Sequence, residues 1–142
     1  MKNQYRAAVI GGGVVGTSIL YHLAKMGWDD VALFEELELT SGSTWHAAGL
    51  LPLFNMSYSV GKIHKYSVDL YQQLEEETGQ PVSFHKNGNL RLARTEERMD
   101  EYRRYSGTAS TIGVPYELIG PSEIKNLWPF AEVDDLVGAL YH

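Results

Sequence analysis

The sequence predicts an α/β fold that opens on a βαβ unit and continues as a mixed α+β region. Three observations carry this. The short apolar run "YRAAVI" stops at three consecutive glycines. An apolar series at helical spacing follows at once, and a second apolar run, "DVALFEE", closes the segment within about thirty residues, the span of one βαβ unit. Beyond residue 50 the pattern changes to amphipathic helices separated by extended stretches.

Taken in order, "YRAAVI" reads as a buried strand. "VVGTSILYHLAKM" reads as a helix, with Ile19, Leu20, Leu23 and Met26 at helical spacing and Gly27 as its cap. "DVALFEE" is a second strand, so the unit is βαβ, with parallel strands and a right-handed crossover expected. Lys62–Thr78 is an amphipathic helix carrying Ile63, Tyr66, Leu70 and Leu74, stopped by Gly79. "VSFHKNGNLRLAR" predicts a hairpin about Asn87-Gly88. Thr95 begins a helix with Glu96 and Glu97 in its first turn. "PYELI" is then a strand, and "PSEIKNLW" a short helix ended by Pro129. The closing "DDLVGALYH" reads as a strand just begun, so the chain is expected to be the front part of a longer protein.

Composition excludes several classes. A net charge of −6 argues against a nucleic-acid surface. No apolar run approaches the roughly 20 residues of a membrane span, and no secretory leader is visible. Without cysteines there are no disulfides or thiolate sites. No His/Asp/Glu cluster has metal-ligand spacing, and there is no G-x-S-x-G elbow. A cytoplasmic or mitochondrial-matrix protein is expected.

Gly11, Gly13 and Gly16 satisfy G-x-G-x-x-G, and Glu35 ends the second strand 19 residues after Gly16. Strand, motif, helix and acid together are the arrangement of a Rossmann-like dinucleotide site. Gly11 permits the tight turn, Gly13 lets the backbone approach a pyrophosphate at the helix N-terminus, and Gly16 lets helix and strand pack closely. Glu35 can accept from ribose hydroxyls, and its charge disfavours a 2′-phosphate. FAD and NAD both remain. Residues 1–50 are therefore expected to be the dinucleotide-binding core and its loop, and 51–142 a helix, hairpin and the start of a substrate-domain region.

The loop "SGSTWHAAGL" favours FAD. Ser43 and Thr44 offer hydroxyls and N–H groups to phosphate, while Ala47, Ala48 and Gly49 are small enough for a flat ring to approach. The stretch "ELTSGSTWHAAGL" resembles the dimethylglycine and sarcosine dehydrogenase family, and the likeness continues through "KIHKYSVDLYQQLEEETGQ" and "GNLRLA". That resemblance implies a flavin domain of the D-amino-acid-oxidase type. It implies that His46 is joined covalently to the 8α-methyl of FAD; imidazole, substantially neutral at physiological pH, is a competent nucleophile there. It also implies hydride transfer from a small N-methylated amino acid, an electron-transfer flavoprotein as acceptor, and tetrahydrofolate bound by a C-terminal region. Two features depart from the family: Glu36 stands where a basic residue often follows the ribose acid, and "LPLFNMSYSV" occupies a variable stretch.

No catalytic residue is identified. Trp45 is expected to pack under its loop, His22 and His64 to be surface or satisfied helix histidines, and Arg91 and Arg94 to be surface charge. An amine oxidase of the same fold using oxygen, a non-catalytic nucleotide-binding module and an NAD dehydrogenase are the alternative readings.

Overall fold

The computed structural model describes residues 2, 4–53 and 55–142, so Phe54 of "LPLFNMSYSV" lies outside the described residues. The chain divides into two compact units, Met1–Leu50 and Leu51–His142.

The first unit is the expected βαβ. Strand β1 (Ala7–Ile10) leads through the glycines to helix α1 (Val14–Lys25) and back to strand β2 (Val31–Phe34). The strands are parallel, in register from Ala7 opposite Val31 to Ile10 opposite Phe34. The Gly11 N–H carries the pairing one residue further, donating to the Phe34 carbonyl at 2.8 Å. Helix α1 ends at Met26, and Gly27 turns the chain away at φ +82°. The apolar run predicts a buried first strand, yet Val9 alone in β1 is buried and Ile10 is 80% exposed. The reason lies in pairing: among the described residues β2 is the sole neighbour of β1.

Gly16 sets how closely α1 lies on this unit. A Cβ at that position would overlap the Gly11 carbonyl oxygen and stand 3.5 Å from Val9 Cγ1. Backbone on one side and core on the other leave no room for a methyl group.

The second unit begins with helix α2 (Tyr58–Thr78), capped by Ser57, whose hydroxyl accepts from the Val60 N–H at 3.5 Å. It starts four residues before the expected Lys62, because Ser57 supplies an N-cap ahead of the amphipathic stripe. Gly79 closes it in the left-handed conformation, φ +68°. Strand β3 (Leu90–Ala93), helix α3 (Glu96–Ile112), strand β4 (Glu117–Ile119), helix α4 (Pro121–Leu127) and strand β5 (Gly138–Tyr141) follow. The Thr95 hydroxyl caps α3 as expected, accepting from the Arg98 N–H at 3.3 Å.

The expected hairpin does not form. Residues 82–86 are not a strand, and Ser83 sits at φ +51°, which breaks any extended run through it. Gly88 does turn, at φ +78°, but β3 pairs with β5 instead of with the residues before the turn. The sheet order is β3-β5-β4, antiparallel throughout, with β5 in the centre. The closing segment is thus the middle strand of its sheet, and Ala139 and Leu140 are fully buried. Met99, Tyr102 and Ala109 of α3 pack with Ala93 and Leu140 on one face, while Ile119, Ile124 and Leu136 gather with Ala139. The Tyr102 hydroxyl donates to the Leu92 carbonyl at 3.2 Å, tying α3 to β3. Close approaches rest on glycine here too: a Cβ on Gly61 of α2 would come within 2.5 Å of Ile112 Cδ1 in α3.

Two outcomes follow from this packing. Gly16→Ala should lower stability by at least about 3 kcal/mol or block folding, since the obstructing atom is backbone; an unchanged denaturant midpoint for the full-length protein would contradict it. His142, partly buried at the end of β5 and facing the charge of Arg91, has its imidazole pushed down to about 4, burial being the larger cause. The unfolded chain takes up that proton near the ordinary 6.5. Stability should therefore be full above pH 6.5 and decline as the pH falls toward 4. His142→Gln should flatten that part of the pH–stability curve.

Candidate functional site

The glycine turn, the end of β2 and the loop after it converge in the first unit. Gly11 takes φ +100°, a conformation closed to most side chains, and so reverses the chain into α1. Gly13 is the N-cap of α1 and carries no capping side chain, and the first turn of the helix contains no acid. Thr44 reaches in from the loop: its Oγ1 accepts from the Val14 N–H at 3.0 Å. A Cβ on Gly13 would stand 3.0 Å from the same oxygen, so a larger residue there would crowd Thr44.

Glu35 is held by the backbone. Its Oε2 accepts from the Gly12 N–H at 2.5 Å and its Oε1 from the Leu37 N–H at 2.9 Å. The bonds from Leu37 and then Gly12 hold its carboxyl below the usual carboxylate range. An ionised carboxylate offers about four acceptor positions, so each oxygen keeps a lone pair for a sugar hydroxyl. Gly12 is the residue that the motif passes over. A Cβ on it would approach Leu39 Cδ2 to 2.5 Å and both Glu35 Cβ and Oε2 to 3.1 Å. The run of three glycines was its signal: the middle one admits the acid.

The loop is bound back to the glycine turn. The Thr40 N–H donates to the Gly12 carbonyl at 3.0 Å, and the Trp45 N–H donates to the Thr40 carbonyl at 3.3 Å. Thr40 itself adopts φ +69°, uncommon for a β-branched residue and costly unless its surroundings enforce it. Ser43–His46 then form one 3-10 turn. Ser43 opens it and is exposed. His46 is exposed, and its Nδ1 lies 3.1 Å from the Gly42 carbonyl oxygen. A carbonyl only accepts, so Nδ1 carries the proton and a neutral His46 holds its free lone pair on Nε2. Ala48 and Gly49 are also exposed; Gly49 takes φ +70° with open space around its Cα.

Trp45 departs from its expected place beneath the loop. It is 65% exposed, and its ring lies 3.9 Å from that of His46 between centroids, tilted by 40°. The indole therefore lies beside the imidazole and not under the backbone.

The remaining candidates are dispersed. His22 Nδ1 bonds the Ser18 carbonyl at 2.7 Å within α1, a satisfied helix histidine. His64 differs from expectation: its Nδ1 is enclosed and has no hydrogen-bond partner. Arg94 pairs with Asp135 at 3.0 Å on the surface. Among the described residues no helix is long and apolar enough to cross a membrane, and no three His, Cys, Asp or Glu side chains are grouped to hold a metal ion.

This donor set suits an anionic dinucleotide. The mouth of α1 offers amide N–H groups without a competing acid or capping side chain. Thr44, accepting from Val14, keeps its own hydroxyl proton to donate. Glu35 retains acceptor capacity at the far side of the turn.

Comparison with known proteins agrees with that chemistry. The profile of the DAO family, FAD dependent oxidoreductase, matches residues 6–142. Dimethylglycine dehydrogenase, mitochondrial, of Rattus norvegicus is 45% identical over 141 residues, which is 99% of this chain and 16% of that protein. Sarcosine dehydrogenase, mitochondrial, of Homo sapiens is 42% identical over 134 residues, 94% of this chain and 15% of its own length. The chain therefore spans well under a fifth of either curated relative. The crystal structure of L-proline dehydrogenase from P.horikoshii superposes with a TM-score of 0.91 at 30% identity, over 100% of this chain and 37% of that one. A βαβ unit closed on Gly16, an acid seated on Gly12 and a match running from residue 6 to residue 142 agree: the chain belongs to the FAD-dependent oxidoreductase family.

Proposed function

We propose that this chain is the N-terminal part of an FAD-dependent dehydrogenase oxidising a small N-methylated amino acid of the dimethylglycine or sarcosine type. One observation carries the reading to this branch of the family. An exposed imidazole stands on a turn that is latched to the mouth of α1, with its proton directed to Gly42 and Nε2 left as the free nitrogen. The names and identities of the two mitochondrial relatives support the substrate class.

In this reading Gly11, Gly13 and Gly16 shape the turn that brings backbone N–H groups to the diphosphate. Ser43 and Thr44 add hydroxyl donors from the loop. Glu35 accepts from the ribose, and Ala48 and Gly49 leave room for a flat ring. His46 joins the cofactor covalently and retains it. Bound FAD supplies the hydride acceptor for the N-methyl carbon. Most of the groups that orient the amine would lie beyond His142, and a tetrahydrofolate site for the released one-carbon unit would belong to a C-terminal region. An electron-transfer flavoprotein then serves as the oxidant, in the cytoplasm or the mitochondrial matrix.

Two measurements test this. After acid denaturation of the full-length protein, flavin fluorescence should stay with the polypeptide, and His46→Ala should release it. A tether that survives that substitution would remove His46 from the assignment. Glu35→Gln keeps the shape but loses the charge and one acceptor oxygen. In a His46→Ala background, where FAD is held without a covalent bond, it should weaken FAD binding about tenfold or more, given the usual strength of bonds to a charged group. Because the Glu35 carboxyl is held low, FAD binding by the His46→Ala protein should persist as the pH falls through the ordinary carboxylate value near 4.5 and weaken only below it.

A further inference from the structure

We infer that Trp45 is a positioning residue for His46: its indole presses the imidazole into the orientation in which Nε2 can be joined to the cofactor. This rests on the proposed tether and names the side chain that controls how fast it forms.

Two contacts restrain the His46 ring. Nδ1–H donates to the Gly42 carbonyl oxygen at 3.1 Å, which selects the tautomer and fixes one edge. That bond alone leaves the ring free to swing about the N–H···O axis. The Trp45 ring, 3.9 Å away between centroids and tilted by 40°, occupies one side of the imidazole and removes that freedom. Trp45 makes this contact while 65% exposed. The turn that carries both rings is itself fixed: Thr44 accepts from Val14 and the Trp45 N–H donates to Thr40. Backbone and ring restraints therefore meet at one side chain. In the joining step, His46 Nε2 forms a bond to the 8α carbon and one C–H bond of that methyl breaks. The proton passes to solvent, and the two electrons left on the ring system are taken up by dioxygen or another two-electron acceptor.

An edge or face contact between aromatic rings is worth enough to change a rate by a few-fold to about tenfold. The full-length protein, prepared without flavin, is mixed with FAD and oxygen; samples are quenched in acid and the fluorescence bound to polypeptide is followed in time. Trp45→Ala should form the tether roughly threefold to tenfold more slowly than wild type. Trp45→Phe, which keeps an aromatic face, should recover most of the rate, and Trp45→Leu, which keeps only bulk, should not. In a His46→Ala background, Trp45→Leu should leave the dissociation constant for FAD within about twofold, because the role is orientation and not cofactor binding. A wild-type rate in Trp45→Leu would overturn the inference, as would a large loss of FAD affinity in the double variant. Persistence of the tether in His46→Ala would remove His46 from the proposed function and the role of Trp45 with it, whereas a tether lost in His46→Ala but formed at the wild-type rate in Trp45→Leu overturns the role of Trp45 alone.

Discussion

The carbonyl oxygen of Gly11 lies where any side chain at position 16 would have to be. That one close approach determines how α1 sits on β1, and hence where the open end of the helix points. The contacts of the loop after β2 gather around that end. Glu35 bonds the Gly12 N–H, Thr44 bonds the Val14 N–H and Thr40 bonds the Gly12 carbonyl, so three separate parts of the chain after β2 are tied to one turn before α1. The loop bearing His46 has no apolar core of its own; its shape comes from these backbone bonds.

Such an arrangement explains why the loop tolerates a strained residue. Thr40, at φ +69°, is bonded through its N–H to Gly12 and through its carbonyl to Trp45. Released from either partner, it would relax to negative φ and carry the 3-10 turn away from α1. Position 40 is thus a joint whose unfavourable backbone is offset by the two hydrogen bonds it links.

Local signals in the sequence were enough for the features that local chemistry determines. The helices have caps that can be read directly: Thr95 before α3, Gly79 after α2 and Gly27 after α1. The motif glycines and Glu35 were legible because spacing alone brings them to one turn. The failures fall where the partner is distant. The hairpin at Asn87-Gly88 had good turn chemistry, but β5, nearly fifty residues on, competes for β3 with a more apolar face. Ser83 at positive φ could not be foreseen from its neighbours. The motif spacing passes over Gly12 because its importance lies in what Glu35 needs, and the position of Trp45 is not legible because a single 3-10 turn has no hydrophobic periodicity to reveal it.

The central position of β5 has a consequence for biosynthesis. It is last of the three strands in chain order, yet β3 and β4 are both hydrogen-bonded to it and not to each other. While the nascent polypeptide emerges from the ribosome, neither flanking strand has its sheet neighbour until Gly138–Tyr141 is exposed. Leu92 and Leu118 must wait with their backbone groups turned to water or to a chaperone. Closure of this unit waits for the last of its three strands, and a pause before those residues would prolong the interval in which two unpaired strands are open to misassembly.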